Sequence, residues 1–155
     1  MKMNEIKQKA EKFLNEFFRR LGFELQARAS ASAEDCSLEI VGKDEHLLRG
    51  EGGELLYAIE DLLNQIFLSS LPRGARIVCD SHGFRAEREV ELRAMAQHAA
   101  MRVRSTGVPF VFGPMSANER RIIHLALANN EDLVTESVGE GQQRRLKVSL
   151  KDSAK

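Results

Sequence analysis

Apolar residues recur every three to four positions over residues 4–20: Ile6, Ala10, Phe13, Leu14, Phe17 and Phe18, with lysines and glutamates between them. That spacing predicts a helix. Gly22 predicts its end, because glycine accepts the left-handed backbone that closes many helices. The period then drops to two. Phe23, Leu25 and Ala27 alternate with Glu24, Gln26 and Arg28, and Cys36, Leu38 and Ile40 follow a small, polar stretch at 29–35. Two strands joined as a hairpin are predicted, over 23–29 and 36–40. Gly50-Glu51-Gly52-Gly53 breaks the pattern. Leu55, Ile59, Leu62, Leu63 and Ile66 then lay an apolar stripe along a helix from residue 54 to about 68. Pro72 and Gly74 punctuate its exit, and residues 76–80 read as a third strand.

Beyond Ser81-His82-Gly83 the helical period returns over 84–104, with Leu92, Met95, Ala96, Ala99 and Val103 on one face and Thr106-Gly107 closing it. Residues 108–112 predict a short strand, and Pro109 confines it to a sheet edge. Ser116-Ala117-Asn118-Glu119 has the form of a capping box, with Ser116 as N-cap and Glu119 three residues on, opening a helix to about residue 129. Strands at 133–138 and 144–150 flank a glycine-rich turn at 139–143. The order is α-β-β, a short helix, GxxG, α-β, and then α-β-α-β-β. It predicts an α+β chain of two small domains, 1–82 and 83–151, with a tail at 152–155.

The length, 155 residues, suits one domain or two small ones. A content of 43% hydrophobic and 30% charged residues is that of a folded chain rather than a disordered one. No apolar run approaches the roughly 18 residues of a membrane helix. The first 20 residues mix charge with apolar positions and lack the core of a secretory signal, which points to the cytoplasm. Cys36 and Cys79 form no CxxC and read as reduced, buried thiols. His46, His82, His98 and His124 have no zinc-site spacing, so neither a metal nor another cofactor is expected. Net charge is zero, but it is unevenly spread. Residues 1–82 hold 11 lysines and arginines against 14 acids, giving −3, and residues 83–155 hold 12 against 9, giving +3. The second half is the electropositive one.

Two constellations could carry chemistry. Gly50-x-x-Gly53 lets backbone approach a phosphate chain before a helix whose free N–H groups favour anions. A GxxG between helices is how a KH domain clamps a single strand. Here the intervening residues are Glu51 and Gly52. Glu51 repels phosphate, and Arg49 compensates in part. Arg120-x-x-x-His124 places a guanidinium fork and an imidazole on one helix face. Arg121 is next to it, and Arg144, Arg145 and Lys147 follow on the last strand, where Arg145 and Lys147 share a face opposite Leu146 and Val148. A basic strand face beside this helix start would make one phosphate surface. Catalytic signatures are missing: the chain has no GxSxG and no P-loop, and Glu60-Asp61 reads as a solvated helix face. The phenylalanines of the first helix and of 110–112 read as core.

The stretch from Pro114 to Leu127, with Arg120 and His124 at its centre, resembles the R-x-x-x-H domain, as does Thr135-Glu136-Ser137-Val138-Gly139-Glu140-Gly141 followed by Arg144-Arg145. Asp80-Ser81-His82-Gly83-Phe84-Arg85 resembles the junction between the KH and R-x-x-x-H domains of the bacterial Jag family, also called KhpB. The resemblance covers about residues 20–150. It implies a KH domain of type II topology, with a mixed three-stranded sheet and helices on one face, followed by a small R-x-x-x-H domain. The sequence departs from the family in that only a helix of about 20 residues precedes the first strand, so the Jag-N domain is expected to be missing. It also implies a cytoplasmic, non-enzymatic RNA-binding regulator that pairs with a KH-only protein or with itself. Arg120 and His124 carry over as the signature pair, and Gly50 and Gly53 as the KH loop.

The leading expectation is therefore a single-stranded RNA binder that holds phosphates through Arg120, Arg121, His124, Arg144, Arg145 and Lys147, with little base readout. Gly50, Gly53 and Arg49 would take a strand weakly. Two alternatives stand beside it: a protein-interaction adaptor with a degenerate loop, and a single-stranded DNA binder.

Overall fold

A computed structural model describes residues 2–32 and 35–152. Residues 153–155 of the expected tail, and 33–34 of the first turn, lie outside the described residues. The chain is mixed α+β and divides into two compact units, Met1–Arg85 and Ala86–Lys155.

In the first unit, helix α1 (Met3–Leu21) buries Ile6, Ala10, Leu14 and Phe18 completely. Gly22 ends it at φ +77, and the Phe23 N–H closes back on the Phe18 carbonyl at 2.9 Å. Phe13 and Phe17 stack at 6.0 Å between centroids and pack, half-buried, against the same core. Lys7 is also buried. Its ammonium donates to the carbonyls of Ser30 (2.9 Å) and Ser32, which ties the first turn to the helix.

Strands β1 (Gln26–Ala29) and β2 (Ser37–Val41) pair antiparallel, with Ala27 opposite Ile40. Helices α2 (His46–Arg49) and α3 (Glu54–Ile66) follow, and β3 (Val78–Asp80) adds parallel to β2, with Leu38 opposite Cys79. Ala27, Leu38, Ile40 and Cys79 are buried on one face, while Gln26, Arg28 and Val78 are exposed on the other. Two strands are shorter than the alternation predicts. Before Gln26, the Glu24 backbone is bonded by Asp44 through both its N–H and its carbonyl. Before Val78, the Ile77 backbone is taken by the Asn64 amide, which accepts its N–H and donates to its carbonyl, both at 2.8 Å.

That second contact belongs to a pair of matching devices. On α1, Asn15 bonds both backbone groups of Ala27 (2.8 and 3.1 Å), and Glu11 accepts the Ala29 N–H (2.6 Å). On α3, Asn64 bonds Ile77, and Glu60 accepts the Cys79 N–H (2.9 Å). In each case a glutamate and an asparagine four residues apart seal one edge of the sheet. Sealed edges offer no template to an added strand. Glu60 therefore does not lie on a solvated face. It is buried, and its carboxylate also takes the Arg85 guanidinium, which donates to the Cys79 carbonyl (2.8 Å) and lies 4.7 Å from the Tyr57 ring centroid. Only Asp61 remains outside.

Burial, then the charge of Glu60, pushes the Cys79 thiol up from 9.0 to about 12. Between those values the unfolded chain has lost a proton that the folded chain keeps. Stability should therefore fall as pH rises through this window, by up to about 1.4 kcal/mol per unit. Comparing denaturant midpoints from pH 8 to 11, Cys79→Ala should flatten that slope; equal slopes in variant and parent would refute the assignment.

The first and last glycines of the GEGG turn differ. Gly50 has φ −66 and open space where a Cβ would stand. Gly53 has φ +85, and its Cβ would fall 2.5 Å from Phe84 Cε1. Gly53→Ala should cost about 1–3 kcal/mol, whereas Gly50→Ala should stay within about 0.5 kcal/mol. Thermal melts of the two variants check this.

In the second unit, helix α4 (Phe84–Thr106) supplies Leu92, Ala96, Ala99, Ala100 and Val103 to a core completed by Phe112, Ile123, Leu127, Leu146 and Val148. Strand β4 (Phe110–Val111), helix α5 (Ala117–Leu127), β5 (Leu133–Val138) and β6 (Arg145–Leu150) follow, in sheet order β4-β6-β5, all antiparallel. β4 lies at an edge, and Pro109 stands just outside it. Ser116 caps α5 by accepting the Glu119 N–H at 3.2 Å. The other half of the expected capping box is redirected. The Glu119 carboxylate is buried and binds Arg88 (2.7 Å) instead, joining α4 to α5.

Candidate nucleic-acid interface

The cap at Ser116 fixes where α5 begins, and so sets Arg120 and His124 one turn apart on the side that meets β5. The Arg120 guanidinium donates to the Met115 carbonyl (2.7 Å) and to Ser137 Oγ (3.2 Å). His124 Nδ1 shares a hydrogen bond with Thr135 Oγ1. Thr135 and Ser137 are two residues apart on β5, so the strand period of two meets the helix spacing of four. Met115 also ties in the backbone of Arg144, because its N–H donates to the Arg144 carbonyl at 3.2 Å. Arg120 is half-buried, and Arg121, His124 and Arg144 are exposed. The one acid in the first turn of α5, Glu119, is neutralised by Arg88. The result is a cationic cluster whose central side chain is already held before any ligand arrives.

The six side chains expected on one surface do not all share it. Thr135 and Ser137 lie opposite Val148 and Leu146, on the face covered by α5. Arg145 and Lys147 lie opposite Val138 and Glu136, on the other face, where Lys147 stands 4.0 Å from Glu136. The alternation along β6 is as expected, but α5 packs on the apolar side of it. The structure therefore brings together Arg120 and His124, with Arg121 next in sequence and the Arg144 backbone tied to Met115, and separates Arg145 and Lys147.

In the first unit, Gly50 and Gly53 bracket a turn in which Glu51 and Gly52 are left-handed, at φ 51 and 67. Arg49, next to this turn in sequence, also reaches the segment that follows β3. It donates to the carbonyls of Ser81 and His82 at 3.3 and 3.4 Å. The turn carries the exposed Glu51 carboxylate beside an arginine that is bonded to backbone elsewhere in the unit. Among the described residues no group of three metal-ligating side chains stands together, and no helix is long and apolar enough to cross a membrane.

Comparison with known families places the second unit. Residues 90–150 match the R-x-x-x-H domain, the family named for an arginine and a histidine with three residues between them. Those are the two side chains that the α5 geometry sets side by side. Three relatives carry the name RNA-binding protein KhpB. That of Clostridium symbiosum is 28% identical over 148 residues, covering 94% of this chain and 67% of its own length. That of Bacillus subtilis is 29% identical over 147 residues, covering 93% and 70%. That of Lactiplantibacillus plantarum is 32% identical over 108 residues, covering 68% and 33%. These likenesses support the Jag/KhpB family. Within the matched domain, the sequence reading missed the holders of the signature pair: Thr135, Ser137 and the Met115 carbonyl. Their signal was present as two hydroxyl residues at alternate strand positions, matched to an i, i+4 helix pair.

Proposed function

We propose that this chain is a single-stranded RNA-binding protein, acting without catalysis as a bacterial post-transcriptional regulator of the Jag/KhpB type in the cytoplasm. The observation that carries this reading is the pre-held Arg120, with His124 and Arg144 beside it. An arginine fork fixed before binding loses less entropy when it meets phosphate. The relatives' name supplies RNA as the ligand class. Arg145 and Lys147, on the opposite face, would contribute at most long-range attraction.

We read the first unit as a type II KH domain over 1–82, with the R-x-x-x-H domain over 83–151. The α-β-β-α-α-β order, the mixed sheet and the GEGG turn between α2 and α3 support this. Glu51 and the engaged Arg49 make Gly50–Gly53 a weak clamp, secondary to the Arg120 site. A KH-only protein or a second copy would dock through a helix or a sheet face of the first unit, because both edges of its sheet are sealed.

The test is a salt titration of a fluorescent eight-nucleotide RNA against the whole chain. About three neutralised phosphates should give a log–log slope near −2, at roughly −0.7 per phosphate. No binding at low salt, or binding indifferent to salt, would overturn the reading. A DNA strand of the same sequence, run alongside, isolates the 2′-hydroxyl.

A further inference from the structure

The edge of β5 is unlike the edges of the first sheet. Lys151 N–H donates to the Asp132 carbonyl (2.8 Å), one step beyond the pair Leu133–Leu150. Antiparallel ladders alternate between bonded and non-bonded pairs. Val134, Glu136 and Val138 therefore bond β6, and the backbone groups of Leu133, Thr135 and Ser137 point away from it. The Leu133 N–H is used by the Asn130 carbonyl (3.1 Å). Among the described residues nothing bonds the N–H and carbonyl of Thr135 or Ser137. Yet these are the two residues whose side chains hold His124 and Arg120.

We propose that this free edge reads bases: the N–H and carbonyl groups of Thr135 and Ser137 pair with the Watson–Crick edges of two consecutive nucleotides whose phosphates lie on Arg120 and Arg144. The proposal rests on the RNA reading above and adds sequence preference to it. Each outward residue offers one donor and one acceptor. A base edge likewise sets a donor beside an acceptor, and single strands leave that edge open. The two residues are about 6.7 Å apart, twice the strand rise, which is comparable with the phosphate spacing of an extended single strand. The charges around the edge suit a polyanion. Arg120 reaches this strand from α5, Arg121 follows it in sequence, and Arg144 is tied by backbone to Met115, which Arg120 also bonds, while Glu136 is turned to the opposite face toward Lys147. A peptide strand could use the same backbone groups, but it would have no use for three cations beside them.

Two measurements test this. The first is amide hydrogen exchange by NMR on the whole chain, with and without the eight-nucleotide RNA. Thr135 and Ser137 should exchange quickly alone and at least about tenfold more slowly in the complex, while Glu136, already in the ladder, is slow in both. Unchanged Thr135 and Ser137 rates, in a complex that still requires Arg120, would overturn the proposal and leave the RNA reading intact. Protection that grows with protein concentration without RNA would assign the edge to a second copy and also overturn it. The second is binding to A, C, G and U homo-octamers. One should be preferred by about tenfold. Ser137→Pro removes the outward N–H but no ladder bond, and should erase that preference; Ser137→Ala keeps the N–H and should keep it. Equal binding of all four octamers by the parent, or a preference that survives Ser137→Pro, would overturn the proposal. Failure of every octamer to bind would remove the RNA reading and this inference together.

Discussion

Arg120→Ala should weaken binding of short single-stranded RNA by about one to two decades in Kd, at every sequence tested. The loss corresponds to roughly 1.5–3 kcal/mol for hydrogen bonds from a charged group. Arg120→Lys should recover little of it. A lysine ammonium keeps the charge, but it cannot bond Met115, Ser137 and a phosphate through one rigid fork. The three proteins should melt within a few degrees of one another, because Arg120 is half-buried on a helix whose core contacts, Ile123 and Leu127, are untouched. Adding His124→Ala should lower affinity further, but by less than the sum of the single losses, since the two side chains share one short stretch of β5. Anisotropy titrations on the parent, the three single variants (Arg120→Ala, Arg120→Lys, His124→Ala) and the double variant at one salt concentration decide it. An Arg120→Lys protein that binds like the parent would show that only net charge matters there.

Arg85→Ala should be the most destabilising surface-to-core change in the first unit, at about 3 kcal/mol. It strands the buried Glu60 carboxylate, whose remaining partner is the Cys79 N–H at 2.9 Å. Removing one member of a buried ion pair typically costs about 3–5 kcal/mol, and the partial exposure of Arg85 places this case at the low end. Adding Glu60→Gln should return part of the loss, because a neutral amide can still accept the Cys79 N–H without an uncompensated charge. Urea unfolding of the single and double variants measures both numbers. A single variant costing under about 1 kcal/mol would mean that solvent reaches Glu60.

Periodicity made most of the elements legible. α1 and α3 begin and end within about two residues of their apolar stripes, and Ser116 marked the α5 start because its cap chemistry is local. The alternation of Arg145 and Lys147 with Leu146 and Val148 was legible too. What could not be read was which side of β6 faces α5, since periodicity separates two faces without saying which one a helix covers. Glu60 is a different case. Glu60 and Asp61 are about 100° apart on the helix, and Glu60 shares its side with the buried Leu56 and Leu63; what the sequence did not show is the partner on β3 that lets a carboxylate be buried there. The contacts of Arg49 with the Ser81 and His82 carbonyls were not legible either, since they come from 32 and 33 residues away. The free backbone edge of β5 was likewise not legible, because it is a property of sheet order and leaves no mark in side chains.

The central claim is that RNA is held at the Arg120–His124 cluster and not chiefly at the GEGG turn. The most direct measurement is photocrosslinking of an eight-nucleotide RNA carrying 4-thiouridine to the whole chain, with the modified peptides identified by mass spectrometry. Crosslinks should concentrate in residues 115–124 and 133–144 and fall sharply in the Arg120→Ala/His124→Ala protein. Crosslinks confined to residues 46–54, and unchanged in that variant, would contradict the account.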